Sequence, residues 1–198
     1  MKSYRCTICG GVLLETRIPS ECPFCAVKDI NIMPLDEVID DDFFFMKNIS
    51  DESRKNLLQG LTIETTNSSF YKCAQNKSES IGMKALFERL SNLEKEHAEI
   101  IRKYLGLDSV DFIEQECSNV DDENIENAIL TTKETINFYK EASVSSRESK
   151  ISNLFKALAE AEEGVLKILK SFDIEVSSNG EEFIPPFLSR VSVKKLKK

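Results

Sequence analysis

The chain has 198 residues, of which 41% are hydrophobic and 30% charged, with a formal net charge of -8. That acidic balance argues against a general nucleic-acid binder, whose affinity needs a basic surface, and no apolar run approaches the roughly 20 residues that span a bilayer. The opening "MKSYRCTICGG" has no apolar stretch of the secretion-signal kind, so the expected compartment is the cytoplasm. Cysteines there stay reduced, and clustered ones point to metal.

Residues 1–38 form the first expected unit. Cys6 and Cys9 make one CxxC pair and Cys22 and Cys25 a second, with Gly10 and Gly11 after the first and Pro23 inside the second. Four thiolates at this spacing suffice for one tetrahedral metal. Spacing alone leaves open a structural zinc or an iron that carries one electron. Cys73 and Cys117 stand alone in sequence and are expected to be small buried hydrophobes.

Residues 39–49 read as an acidic, aromatic linker. From residue 50 to 172 there is no proline and the periodicity turns helical. Four helices are expected, over about Asp51–Gln75 with Ser50 as N-cap, Ser80–Leu105 stopping at Gly106, Asp122–Val144 and Ser146–Phe172. The first and last connections are short and predict two antiparallel pairs. The middle connection, "GLDSVDFIEQECSNVD", could reach roughly 50 Å when extended, enough to cross a bundle lengthwise. Residues 173–198 are broken by Gly180, Pro185 and Pro186 and are expected to be a tail. The fold class is therefore all-α, a four-helix bundle preceded by a small four-cysteine metal module.

Each expected helix carries a glutamate where its apolar row calls for a leucine. The rows are Leu57, Leu61, Glu64, Ser68, Tyr71; Phe87, Leu90, Glu94, His97, Ile101; Leu130, Glu134, Phe138; and Ile151, Phe155, Leu158, Glu162, Val165, Leu169. Unpaired carboxylates in a bundle core cost several kcal/mol each, and these rows offer no lysine or arginine to offset them. Divalent metal would offset them, and carboxylate with imidazole suits iron or manganese. Glu94 and His97, three residues apart on one face, can grip the same ion; His97 is the only histidine in the chain.

The set Glu64, Glu94, His97, Glu134, Glu162 resembles the ferritin-like di-iron carboxylate proteins. Their plan is one Glu from each of two helices and Glu-x-x-His from each of the others. "NLLQGLTIETTNSSFYKCA" and "LFERLSNLEKEHAEIIRKYLG" resemble the first two helices of rubrerythrins, with Tyr71 and Tyr139 matching family tyrosines. Two positions depart from that pattern. Val165 stands where a second histidine belongs, and Thr131 where the family has another glutamate. "YRCTICGGVLLETRIPSECPFC" is similar to the short rubredoxin domain of that family, with Ala26 in place of the glycine usual after the last cysteine. Its N-terminal position is that of reverse rubrerythrins.

The resemblance implies reduction of hydrogen peroxide at a di-iron carboxylate site. Catalytic residues would be Glu64, Glu94, His97, Glu134, Glu162 and Tyr71. Electrons would arrive through a rubredoxin-type FeS4 centre on Cys6, Cys9, Cys22 and Cys25, from a separate NAD(P)H-linked rubredoxin reductase. The chain has no dinucleotide fingerprint of its own. Within one subunit the two centres are expected to lie too far apart, a gap that family members close by forming homodimers. Val165 and Thr131 imply two unequal metal sites, with the one at His97 filling first. A ferritin-like ferroxidase is the alternative, and so is a metal-free bundle carrying a zinc ribbon. The end of the chain, "VSVKKLKK", resembles peptides that dock cargo inside encapsulin shells.

Overall fold

The computed structural model describes residues 1–38, 44, 46 and 48–176; the linker core and the tail, including the docking-like peptide 191–198, lie outside the described residues. Three short strands build the N-terminal module: β1 (Lys2–Cys6), β2 (Val12–Glu15) and β3 (Ile32–Pro34), in the order β2-β1-β3. Both pairings are antiparallel, with Tyr4 opposite Leu13 on one side and Pro34 on the other. Four helices follow: α1 (Asp51–Lys77), α2 (Ile81–Leu105), α3 (Asp121–Ser145) and α4 (Ser149–Val176).

The helix ends follow from local chemistry. Ser50 caps α1 by accepting from the Ser53 N–H, and Ser80 caps α2 by accepting from the Met83 N–H. Gly106 ends α2 with φ of 66°, the left-handed stop that only glycine adopts without strain. Glu148, just before α4, accepts from the backbone and the hydroxyl of Ser50 at 2.7 and 3.3 Å, so the start of α1 and the start of α4 are tied together. α4 runs to Val176, past the expected end at Phe172.

The crossover between α2 and α3 is pinned rather than free. Cys73 of α1 and Cys117 of the crossover form a disulfide. Beside it, Lys77 donates to the Cys117 carbonyl at 2.6 Å and Ser78 donates to Asp121 at 2.8 Å. The expectation of two small buried hydrophobes is corrected here. Each cysteine is only half-buried, and they lie 44 residues apart, a pairing that no local spacing announces.

The apolar core falls into two clusters along the bundle. One holds Leu57, Ile100, Ile101, Tyr104, Tyr139, Phe155 and Leu158 and is continuous with Cys6, Ile8, Cys25 and Val27 of the module. The other holds Tyr71, Phe87, Leu90, Ile125, Val165 and Leu169. Each fully buried Leu, Ile or Phe contributes about 1.5–3 kcal/mol. The module is therefore packed against the bundle, not strung from it. Among the described residues, no helix is long and apolar enough to cross a membrane.

Candidate metal centres

The first centre is the cysteine cluster. Cys6 ends β1, Cys9 lies in the turn before β2, and Cys22 and Cys25 come from the second knuckle; all four are buried. Gly10, with φ of 76°, turns the chain so that the Gly11 N–H donates to Cys9 Sγ at 3.4 Å. Cys6 and Cys25 sulfurs are 3.8 Å apart, and those of Cys9 and Cys22 are 3.7 Å apart. Four sulfurs held about 2.3 Å from one ion stand about 3.8 Å from each other, so the donor set has tetrahedral dimensions. Ala26 takes φ of 57°. This left-handed conformation costs a residue with a Cβ about 1 kcal/mol, the penalty of carrying alanine where a glycine would fit.

The second centre lies between the two core clusters. Glu64 of α1, Glu94 and His97 of α2 and Glu162 of α4 are fully buried, with donor atoms all within 4.8 Å of one another. His97 Nδ1 is 3.4 Å from Glu94 Oε2, 3.4 Å from Glu162 Oε1 and 3.6 Å from Glu64 Oε1. Yet Nδ1, both oxygens of Glu94, both of Glu162 and one of Glu64 have no hydrogen-bond partner. Three carboxylates and an imidazole, converging and unsatisfied in a dry core, fit a divalent cation, which would take one donor atom from each of the four residues. Tyr139 completes the group by donating to Glu64 Oε1.

The electrostatics agree. Burial pushes Glu94 well above the usual carboxylate range, and the charges of Glu162 and Glu64 add to it. Burial also pushes Glu162 up. For Glu64 burial acts in the same sense, but the His97 charge, the close approach of His97 and Glu94, and the Tyr139 hydroxyl outweigh it and hold the group below its ordinary value. Burial would lower His97, yet the Glu64 charge and contacts with the surrounding carboxylates carry it well above. Without a cation the cluster holds protons in its place.

His97 also joins the two centres. Its Nε2 is 3.0 Å from the backbone carbonyl of Cys25. A carbonyl only accepts, so Nε2 carries the proton of this contact and Nδ1 faces the carboxylates; with a cation bound, Nδ1 would be deprotonated and would offer its lone pair to the metal. One imidazole thus spans from a cysteine of the first cluster to the donors of the second. The expected intrachain gap is corrected: the separation of 72 residues along the sequence is closed by packing α2 against the module.

Glu134 is the other correction. It is exposed and stands apart from the cluster. α3 turns Ile125, Ala128, Ile129, Thr132, Thr135, Ile136 and Tyr139 inward, while Leu130 is 60% exposed. Anchoring the row on Leu130 rather than Ile129 rotates it by about 100°, one residue of a helix. The inward face of α3 offers hydroxyls instead of carboxylates. Tyr71 is buried with its hydroxyl unpartnered among the described residues and raised by burial, close enough to Thr132 and Glu94 to sense both. Thr131 is half-buried and donates to carbonyls of its own helix. Val165 is buried on the face of α4 that carries Glu162.

A family model described as Rubrerythrin matches residues 55–172. None of the curated proteins matches the chain. Among solved structures, a hypothetical protein from Pyrococcus furiosus is 18% identical with a TM-score of 0.54, over 63% of this chain and 90% of that one. A two-domain protein from Anabaena variabilis, with DJ-1/ThiJ/PfpI-like and ferritin-like domains, is 15% identical with a TM-score of 0.59, over 77% of this chain and 49% of that one. At these identities the two likenesses speak to fold alone. With the bundle geometry they make the helical part ferritin-like, preceded by a small rubredoxin-like module with its four cysteines.

Proposed function

The chain belongs to the rubrerythrin family, and from that premise we propose that it reduces hydrogen peroxide to water at the centre formed by Glu64, Glu94, His97 and Glu162, with electrons passed through an iron held by the four clustered cysteines. The observation that carries this reading is the contact of His97 Nε2 with the Cys25 carbonyl. A zinc ribbon serving only as a structural clip would need no such link to a buried donor set. Iron bound at the two centres would supply electrons one at a time; the protein supplies position, dryness and protons. His97 orients one donor and links the centres. Glu64, Glu94 and Glu162 hold the metal, and Tyr139 keeps a proton beside Glu64. All four donors are fully buried, which suits an oxidant no larger than peroxide. The electron donor is a separate NAD(P)H-linked reductase. Delivery from cysteine cluster to bundle runs within one chain, so this step has no need of a second copy.

Val165, in place of a second imidazole on α4, favours a second reading: a ferroxidase in which Fe(II) is the substrate. The two differ in what is consumed. A peroxidase turns over peroxide at fixed iron when a reductase and NADH are present, and a ferroxidase stops without fresh Fe(II). In the iron-loaded protein with a rubredoxin reductase, NADH oxidation should be peroxide-dependent. Cys9→Ser should reduce it at least a hundredfold while the helical content by circular dichroism stays unchanged. Equal turnover in that variant, or turnover only with added Fe(II), would overturn the peroxidase reading.

A further inference from the structure

We propose that the bundle of this protein holds one metal ion, not two, so that each peroxide takes one electron from that ion and one from the iron of the cysteine cluster. The second half of this statement rests on the function proposed above; the first half rests on geometry alone.

A pair of ions in a bundle of this kind calls on six residues, one Glu from each of two helices and a Glu-x-x-His pair from each of the others. Four are assembled here. Glu134 points away to solvent, and α3 presents Thr132 and Thr135 inward. Val165 offers only carbon on the Glu162 face of α4. The four remaining residues converge on one point, with the chain's single imidazole among them. A second ion would have to share their carboxylates and would gain neither the α3 glutamate nor the second α4 histidine of that plan. One ion instead gains three carboxylates and an imidazole and keeps open positions for an oxidant.

Reduction of one peroxide breaks the O–O bond and requires two electrons and two protons, giving two waters. An iron held by Glu64, Glu94, His97 and Glu162 would supply one electron on going from +2 to +3, and an iron held by Cys6, Cys9, Cys22 and Cys25 would supply the other. The protons are passed on by the protein's own groups, Tyr139 beside Glu64 among them, and are replaced from solvent. The reductase returns both electrons at NAD(P)H's expense. The 3.0 Å contact of His97 Nε2 with the Cys25 carbonyl is the link through which two single-iron centres would act on the same molecule.

The test is an anaerobic Mn(II) titration of the full-length protein with zinc at the cysteine site, followed by metal analysis and low-temperature electron paramagnetic resonance. The expected result is one Mn(II) per chain with the six-line pattern of an isolated ion. That pattern should be unchanged in Glu134→Ala and lost in His97→Ala. Two Mn(II) per chain with an exchange-coupled signal, or loss of an ion in Glu134→Ala, overturns the single-ion proposal and leaves the peroxidase reading standing. No bound Mn(II) overturns both. In the fully iron-loaded, reduced protein, one equivalent of peroxide should oxidise the cysteine-bound iron in the same kinetic phase as the bundle. A cysteine centre that stays reduced after the first equivalent overturns the shared-electron half.

Discussion

Without a metal, Glu94 keeps a proton that an exposed glutamate would have lost. Burial is the main cause, and the charges of Glu162 and Glu64 add to it. A carboxyl raised in the folded state contributes stability that is complete below its unfolded value, about 4.5, and is lost as pH rises toward the folded value. Glu94→Gln fixes the neutral form. Metal-free Glu94→Gln should therefore match the unmodified protein near pH 4 and exceed it increasingly at higher pH, by up to about 1.4 kcal/mol per unit. Denaturant titrations at pH 4, 6 and 8 measure this, and a pH-independent difference would show that Glu94 is not the buried proton holder. The same residue shows what a sequence makes legible. Glu64, Glu94, His97 and Glu162 sit in rows whose phase is set by large apolar neighbours on both sides, such as Leu90 and Ile101 around Glu94. Glu134 had only Leu130 and Phe138 to phase it, and Leu130 proved to face solvent. The true inward face of α3 mixes alanine and threonine with isoleucine, so hydrophobicity alone did not fix its rotation.

Among the elements, the helices were the easiest to read, because Ser50, Ser80 and Gly106 mark their ends chemically. The crossover was legible in length but not in attachment. Its pairing of Cys117 with Cys73 depends on two elements meeting in space, and half-buried cysteines carry no helical or strand signature. Closing a loop of 44 residues restricts the unfolded chain by up to about 4 kcal/mol on the chain-entropy account. Reduction with a thiol, or Cys73→Ser, should lower the melting temperature by several degrees, and the reductant should then have no further effect on the variant. An unmodified protein whose melting point ignores reductant would mean that the crossover is held by its hydrogen bonds instead.

At the scale of the whole molecule, two units that composition separates cleanly turn out to share one core, with Cys6, Cys25 and Val27 in the same apolar cluster as Tyr104 and Phe155. Nothing in a sequence of separate motifs announces which face of a bundle a module will cover. The contact of His97 with the Cys25 carbonyl then has a thermodynamic consequence. A metal in the cysteine cluster fixes Cys25, and through it the ring that binds the second metal; a metal in the bundle fixes the ring, and through it Cys25. Linkage makes the effect reciprocal, so each ion raises the affinity for the other by the same factor. Removing a partner that orients a metal-binding histidine costs about 10–100-fold in affinity. Stripping the cysteine site with Cys22→Ser should therefore weaken Mn(II) binding in the bundle by that order, as read by titration, and unchanged affinity would show the two sites to be independent. Metal uptake at the two sites is then coupled within a single chain, so that a chain already loaded at its cysteines should fill its bundle at a lower metal concentration than one that is not.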